Sequence, residues 1–462
     1  MLTNIKYVYF LGIGGIGMSA LARWFKSEGY WVGGYDRTET DLTRRLATEG
    51  MDIHYADSID LIPPVVANSP LEQTLIVWTP AVPVSHPEYQ YLHEKGYAIH
   101  KRAEVLGWLT QDYFTIAVAG THGKTTTSSM IAHILYNSPL SCTAFLGGIL
   151  QNYDSNLLLS KYQGRQQLMV VEADEYDKSF LRLSPTITVV TSLDADHLDI
   201  YGDVSQMLAT YHAFMHQIKA EGRLFAKKGL DLHQQALKIT SEDYAVGEMA
   251  DYAAQNIRIE DGQFYFDWFN KQEKIENLTL RVPGYHNVEN ATVAIAVCRY
   301  LGVGESVIRE SLASFSGAKR RFDYLYKSDK FVLIDDYAHH PTEVRAFLTS
   351  LRAMYPNRKI TAIFQPHLYT RTRDFADDFA ESLSLADELL LLEIYPAREL
   401  PIEGITARII LEKVNIAHKQ IISKSELLAK FAEDTSEIVA TIGAGDISDL
   451  GAEILKVANI NE

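Results

Sequence analysis

The sequence predicts an α/β protein of three domains, and three observations predict it. A strand, a glycine-rich loop and a helix follow one another at residues 6–35. The same order restarts at residues 114–135, and from about residue 318 strand and helix signals alternate again. A length of 462 residues, 47% of them apolar and 22% charged, is enough for about three cores of ordinary domain size.

Composition narrows the partners. Asp and Glu number 59 against 43 Lys and Arg, a formal charge of −16 that repels a phosphate backbone, so no nucleic acid is expected as a partner. Any nucleotide has to be held by local sites. Cys142 and Cys298 lie far apart, with neither metal-ligand spacing nor a disulfide framework, which points to a reducing compartment. Residues 1–9 carry Lys6 and no apolar core of signal-peptide length, and no run reaches the roughly eighteen apolar residues of a membrane span. A cytoplasmic protein with no membrane insertion is expected.

In the first domain, residues 1–105, a strand at 7–11 runs into G-I-G-G-I-G from Gly12 to Gly17. A helix at 18–28, a strand at 30–35 and Asp36 follow. Gly12, Gly14, Gly15 and Gly17 let a backbone approach a pyrophosphate closely, and Asp36 is spaced to reach a ribose hydroxyl. Helix and strand signals at 40–49, 53–55, 75–78 and 88–95 complete a Rossmann-like unit.

The second domain, residues 106–317, opens on an apolar strand at 114–118 and the loop A-G-T-H-G-K-T-T-T. Gly120, Thr121, His122 and Gly123 offer backbone N–H groups to a polyphosphate at a helix start. Lys124 adds a point charge, and the Thr125 hydroxyl, followed by Thr126, suits Mg²⁺. The general phosphate-loop pattern wants a glycine at position 118, where this chain has Val118, so the loop is a short variant. The domain is therefore P-loop ATPase-like. Strands at 168–171 and 187–190 end in acidic stretches, E-A-D-E-Y-D and D-A-D-H-L-D. Of these, Glu172 and His197 are the candidate metal ligands, whereas Glu175 and Asp177 read as a solvated acidic loop. Residues 230–280 carry little pattern beyond a β-hairpin around 264–269. Asn290 opens a small-residue helix at 291–299, where it serves as a cap or reads a base edge.

The third domain, residues 318–462, is again Rossmann-like. R-R-F-D precedes a strand at 331–334, which ends in D-D-Y-A-H-H-P-T-E. Further signals stand at 344–354, 360–364, 375–385, 388–393 and 438–442. The blocks Q-P-H-L-Y-T-R and G-A-G-D fall at strand ends, where ligands bind in such sheets.

Taken in order together with P-G-Y-H-N-V-E-N-A at 283–291, these nine blocks resemble the Mur ligases of peptidoglycan synthesis over essentially the full chain, and among them the branch that joins L-alanine to UDP-N-acetylmuramate. The resemblance implies that the first domain holds the UDP-sugar, the second holds ATP with Mg²⁺, and the third admits the amino acid. It implies that Gly120–Thr126 hold phosphates, that Thr125, Glu172 and His197 hold the metal, and that Asn290, Arg321 and Asp336 contact ATP. Tyr337, His339, His367 and Arg371 match the region where alanine and the acyl group meet. Many relatives carry Arg where this chain has Leu368, which leaves Arg371 for the alanine carboxylate. The helix after the D-H motif offers no lysine between 211 and 215, as suits this branch.

The chemistry expected is amide formation through an acyl phosphate, with Lys124 and Arg321 stabilising charge. His339 is the candidate for taking the amine's proton, and it or His340 could instead cap a helix. A recycling ligase that adds a tripeptide to the same sugar shares several of these blocks. G-I-G-G-I-G by itself would suit an NAD-dependent oxidoreductase, and the phosphate loop by itself a nucleotide-gated binding protein.

Overall fold

β1 (Tyr7–Leu11) is apolar and buried from Val8 to Leu11, as a central parallel strand covered on both faces must be. The computed structural model describes residues 2–162, 167–195, 198–232, 237–260, 262–397, 399–433 and 437–458. β1 pairs in parallel with β2 (Trp31–Tyr35) and β4 (Thr74–Trp78), and β3 (Asp52–His54) and β5 (Ile99–Lys101) flank them in the order β3-β2-β1-β4-β5. The chain reverses direction across the sheet at β1, and the glycine loop leaves from that crevice, where open parallel sheets bind ligands. Helix Ile16–Ser27 follows at once, two residues ahead of the expected start.

The second sheet is built on β6 (Phe114–Ala119), β7 (Thr143–Leu150), β8 (Ser155–Leu158), β9 (Leu168–Glu172), β10 (Ile187–Val190), β11 (Arg223–Lys227) and β12 (Thr240–Val246). Their order is β12-β11-β10-β6-β9-β7-β8, with β6 parallel to both β9 and β10. Val190 pairs with Ala119 and Glu172 with Val118, so the acidic strand ends stand on either side of the phosphate loop. Further on come β13 (Tyr252–Glu260), β14 (Gln263–Asn270) and β15 (Lys274–Leu280). The hairpin expected around 264–269 is found, with β14 between β13 and β15 in the sheet. Those residues form one uninterrupted strand, and the turn comes after it, where Asn270 Oδ1 accepts the Gln272 and Glu273 N–H groups at 2.8 and 2.9 Å.

In the third sheet, β16 (Asp323–Lys327) is antiparallel to β17 (Val332–Asp336). β18 (Ile360–Phe364), β19 (Glu388–Leu391), β20 (His418–Ile421) and β21 (Ile438–Ile442) run parallel to β17, in the order β16-β17-β21-β18-β19-β20. Asp336 and Phe364 both pair with Ile442. That register draws the three expected strand-end blocks to one edge of the sheet.

The chain gathers into two compact units. The first takes Met1–Ala253, Phe269–Lys274 and Asn290–Ser311; the second takes Ala254–Trp268, Ile275–Glu289 and Leu312–Glu462. Both cysteines are free and buried, and burial pushes the Cys142 thiol up to about 12. No described helix is long and apolar enough to cross a membrane.

Candidate active site

In the first unit, two glycine loops leave parallel strands. Gly12 has φ +91°, and a Cβ there would lie 2.5 Å from Thr79 Cγ2, so this position requires glycine. Gly14 donates its N–H to Asp36 Oδ2 at 2.7 Å, and Thr38 donates to Asp36 Oδ1 at 3.2 Å. Asp36 therefore fastens the loop it follows. Gly15 is the residue before helix Ile16–Ser27 and has no side-chain cap, while Gly17 packs against the Arg102 guanidinium.

The phosphate loop is cross-braced by the segment after β10. Ser192 Oγ accepts the His122 N–H at 2.8 Å and meets the Thr121 hydroxyl at 2.9 Å, and the Thr191 hydroxyl donates to the Ala119 and His122 carbonyls. His122 Nε2 lies 3.1 Å from Asp194 Oδ2. Gly123, at φ +78°, precedes helix Lys124–Tyr136. That helix has no side-chain cap and no acidic residue in its first turn, so the N–H groups and the dipole of its first turn are presented to an anion.

Lys124 Nζ donates to the Gly120 carbonyl at 2.6 Å and to Glu175 Oε1 at 2.8 Å. Glu175 is 2% exposed, which corrects the solvated reading: the carboxylate is turned inward onto the loop lysine. Burial and Asp174 push Glu175 up to about 7 while Lys124 pulls it back. Burial also works against the Lys124 charge, but Glu175, Glu172 and Asp174 outweigh it and hold the ammonium above its ordinary value. Asp177 is half exposed on Lys101, as a solvated residue should be.

The Thr125 hydroxyl donates to Glu172 Oε1 at 3.1 Å, and Gly147 donates its N–H to Glu172 Oε2 at 3.1 Å. Two oxygen donors so close fit the hard-ligand preference of Mg²⁺. His197 lies outside the described residues. Among the described residues no group of three or more His, Cys, Asp or Glu forms a metal-binding cluster. Asn290 corrects a second expectation: helix Tyr285–Tyr300 begins five residues before it, so Asn290 is no cap. Its Oδ1 accepts from the Thr127 hydroxyl at 3.1 Å and stands 2.7 Å from where a Cβ on Gly123 would be. Thr126 is buried beside these groups in the first turn of helix Lys124–Tyr136.

The second unit holds the remaining candidates. Asp336, at the end of β17, accepts N–H groups from Phe322 and Ala338, both at 2.8 Å. Burial pushes it up to about 6 against the pull of Arg321. Asp336 thus pins the R-R-F-D turn, where Arg320 and Phe322 have positive φ. The Arg320 and Arg321 guanidinium groups lie 5.0 and 5.1 Å from the Tyr337 ring centre.

The two adjacent histidines divide the roles read for them. His340 is the N-cap of helix Pro341–Met354, its ring accepting the Thr342 N–H. His339 Nδ1 is 2.9 Å from the Tyr337 carbonyl, which favours hydrogen on Nδ1 and leaves Nε2 as the basic nitrogen. The His339 and His367 rings meet edge-on at 6.0 Å, and His367 stacks on Tyr395 at 5.8 Å. Arg371 is 6% exposed in helix Tyr369–Asp374. Leu368 holds φ +72° and ψ 139°, a conformation that costs a non-glycine residue about 1–3 kcal/mol. Gln365 donates to Asp446 Oδ1 at 2.8 Å and ties the Q-P-H block to G-A-G-D. Glu175, Ser192 and Tyr395 are the residues that local pattern missed.

Three family models match in succession: Mur ligase family, catalytic domain, at residues 7–114; Mur ligase middle domain at 118–298; and Mur ligase, glutamate ligase domain, at 320–447. The UDP-N-acetylmuramate--L-alanine ligase of Flavobacterium johnsoniae is 50% identical over 460 residues, covering 100% of this chain and 99% of that one. The ligase of the same name from Cytophaga hutchinsonii is 48% identical over 446 residues, covering 96% and 95%. Among solved structures, UDP-N-acetylmuramate-alanine ligase MurC from Thermotoga maritima superposes with a TM-score of 0.81 at 28% identity, covering 97% of this chain and 98% of that one. Family models that span all three sheets, together with relatives about half identical over the full length, show that the chain belongs to the Mur ligase family.

Proposed function

We propose that this protein is an ATP-dependent ligase that joins L-alanine to the carboxylate of UDP-N-acetylmuramate in peptidoglycan precursor synthesis. The observation that carries the reading is the phosphate loop itself: an ammonium, open first-turn N–H groups and the Thr125–Glu172 oxygen pair meet within one loop. That set suits phosphoryl transfer and has no use in hydride transfer. Near full-length similarity to alanine-adding ligases supports the choice of amino acid.

In this reading residues 1–105 bind the UDP-sugar, 106–317 bind ATP and 318–462 bring the amino acid. An oxygen of the sugar carboxylate forms a bond to the γ-phosphorus as the bond to ADP breaks. The alanine nitrogen then attacks the acyl carbon, a C–N bond forms, and phosphate leaves with the oxygen it gained. Lys124 and Arg321 hold charge on the transferring group. Mg²⁺, held by Thr125, Glu172 and, by resemblance, His197, would add positive charge there when bound. Asn290 fixes the loop near the nucleotide, and Asp336 keeps the Arg321 turn in shape. His339 Nε2 takes the amine proton, the Arg371 guanidinium takes the alanine carboxylate, and Tyr337 and His367 line the approach. Gly12, Gly14, Gly15 and Gly17 receive the sugar pyrophosphate. A cytoplasmic location belongs to the same reading, since ATP and a sugar nucleotide are the substrates.

The test is ADP release from the purified protein with UDP-N-acetylmuramate, ATP and Mg²⁺, offering each amino acid in turn. Release that depends on alanine is expected. Release with a tripeptide and none with alanine would replace this reading with the recycling one.

A further inference from the structure

We infer that Glu175 is a positioning residue for Lys124, holding its ammonium at the mouth of the phosphate loop at the expense of nucleotide affinity. The inference rests on the ligase reading for its effect on turnover, and on geometry alone for its effect on binding.

A lysine ammonium has three N–H donors. Gly120 O takes one at 2.6 Å, Glu175 Oε1 a second at 2.8 Å, and Thr121 O accepts a longer one at 3.4 Å. Held between the loop carbonyls and Glu175, the flexible side chain is confined to one arrangement. The carboxylate that does this is itself built in. The Glu175 carbonyl accepts the Tyr201 hydroxyl at 2.6 Å and the Lys178 N–H at 3.0 Å, which fixes the backbone that carries it. Ala173, Phe180 and Tyr201 belong to the core around it. A loop side chain that merely happened to meet Lys124 would need none of this support.

The charge balance makes the role specific. A carboxylate 2.8 Å from Lys124 Nζ cancels part of the field a polyphosphate would feel, so for binding alone Glu175 is unfavourable. Its placement beside a phosphate loop is understandable if it contributes orientation, since a misplacement of about 1 Å can cost catalysis heavily. Glu175→Gln keeps an oxygen that accepts from the ammonium and removes the opposing charge. Glu175→Ala removes both.

The experiment uses the full chain: calorimetric titration with MgADP, steady-state turnover and the thermal midpoint, for the wild type, Glu175→Gln, Glu175→Asp and Glu175→Ala. Glu175→Gln should bind MgADP about threefold or more tighter, because a like charge has gone from the site. Its kcat should fall about tenfold, and that of Glu175→Ala further, as the ammonium loses its aim. Glu175→Asp should return MgADP affinity to the wild-type value and recover part of kcat. Weaker MgADP binding in Glu175→Gln, or affinity, turnover and thermal midpoint falling together in every variant, would overturn the inference and leave Glu175 a structural residue. If the wild type shows no alanine-dependent turnover, the ligase reading fails. The MgADP comparison between wild type and Glu175→Gln still decides the electrostatic half.

Discussion

The two glycine loops of the first unit share a plan, a buried parallel strand, a glycine turn and a helix, yet they spend their polar groups differently. In the first, the loop N–H of Gly14 is taken by the chain's own Asp36, and the loop carries no lysine. In the second, no acidic side chain occupies the first turn of the helix, and Lys124 stands inside the loop against a buried carboxylate. In the function proposed above, the first holds a pyrophosphate that is released unchanged. The second carries a positioned positive charge, which is what the transfer of a phosphoryl group calls for. A glycine fingerprint reports backbone approach; the charged neighbours separate holding from transfer.

The largest test of that contrast is Lys124→Ala. Turnover should fall by roughly a hundredfold or more, with binding of UDP-N-acetylmuramate kept within about twofold, because only the second loop handles transferring charge. Near-normal ADP production in this variant would erase the distinction. A smaller effect is expected from Gly12→Ala, which forces a Cβ toward Thr79 Cγ2 at a φ of +91°. It should lower stability by about 1–3 kcal/mol and weaken UDP-sugar binding. MgADP affinity should stay as it was, so a calorimetric loss of both ligands would mean the loops are not independent.

The smallest effect is a pH dependence confined to the second loop's helix. His133, in helix Lys124–Tyr136, is pulled down to about 4 by burial, whereas helix Ile16–Ser27 contains no histidine. The unfolded chain binds the proton from about pH 6.5 downward and the folded chain only near pH 4. The stability tied to His133 is therefore full above pH 6.5 and falls as the pH drops through that window. By pH 5 the loss should reach about 1–2 kcal/mol, seen as faster amide exchange in Lys124–Tyr136 relative to Ile16–Ser27. Equal acceleration in both helices, or no relief in His133→Gln, would refute the assignment.

Much of this was legible because the deciding signals are local. β1, β10, β18 and β21 match their expected ranges to the residue, since each is a short apolar run bounded by turn residues. What was misread depended on partners distant in sequence. E-A-D-E-Y-D reads as solvated because acidic runs usually are; Glu175 departs from that only because Lys124, 51 positions earlier, folds against it. Asn290 reads as a cap because the small-residue run starts after it. The helix begins at Tyr285, just past Gly284 at φ +120°, so the stop signal lay further back. The adjacent histidines were indistinguishable as letters. The backbone turn gives His340 the cap and turns His339 toward the Tyr337 carbonyl.

The two buried cysteines have a practical consequence. With Cys142 and Cys298 fully enclosed and their thiols held protonated, neither offers the thiolate that maleimides attack. The natural protein is already a quiet background for site-directed labelling. Met249→Cys in the first unit and Leu400→Cys in the second replace side chains that are 75% and 85% exposed. A dye on either position would report on the unit that carries it, with no native residue removed to make room for the chemistry.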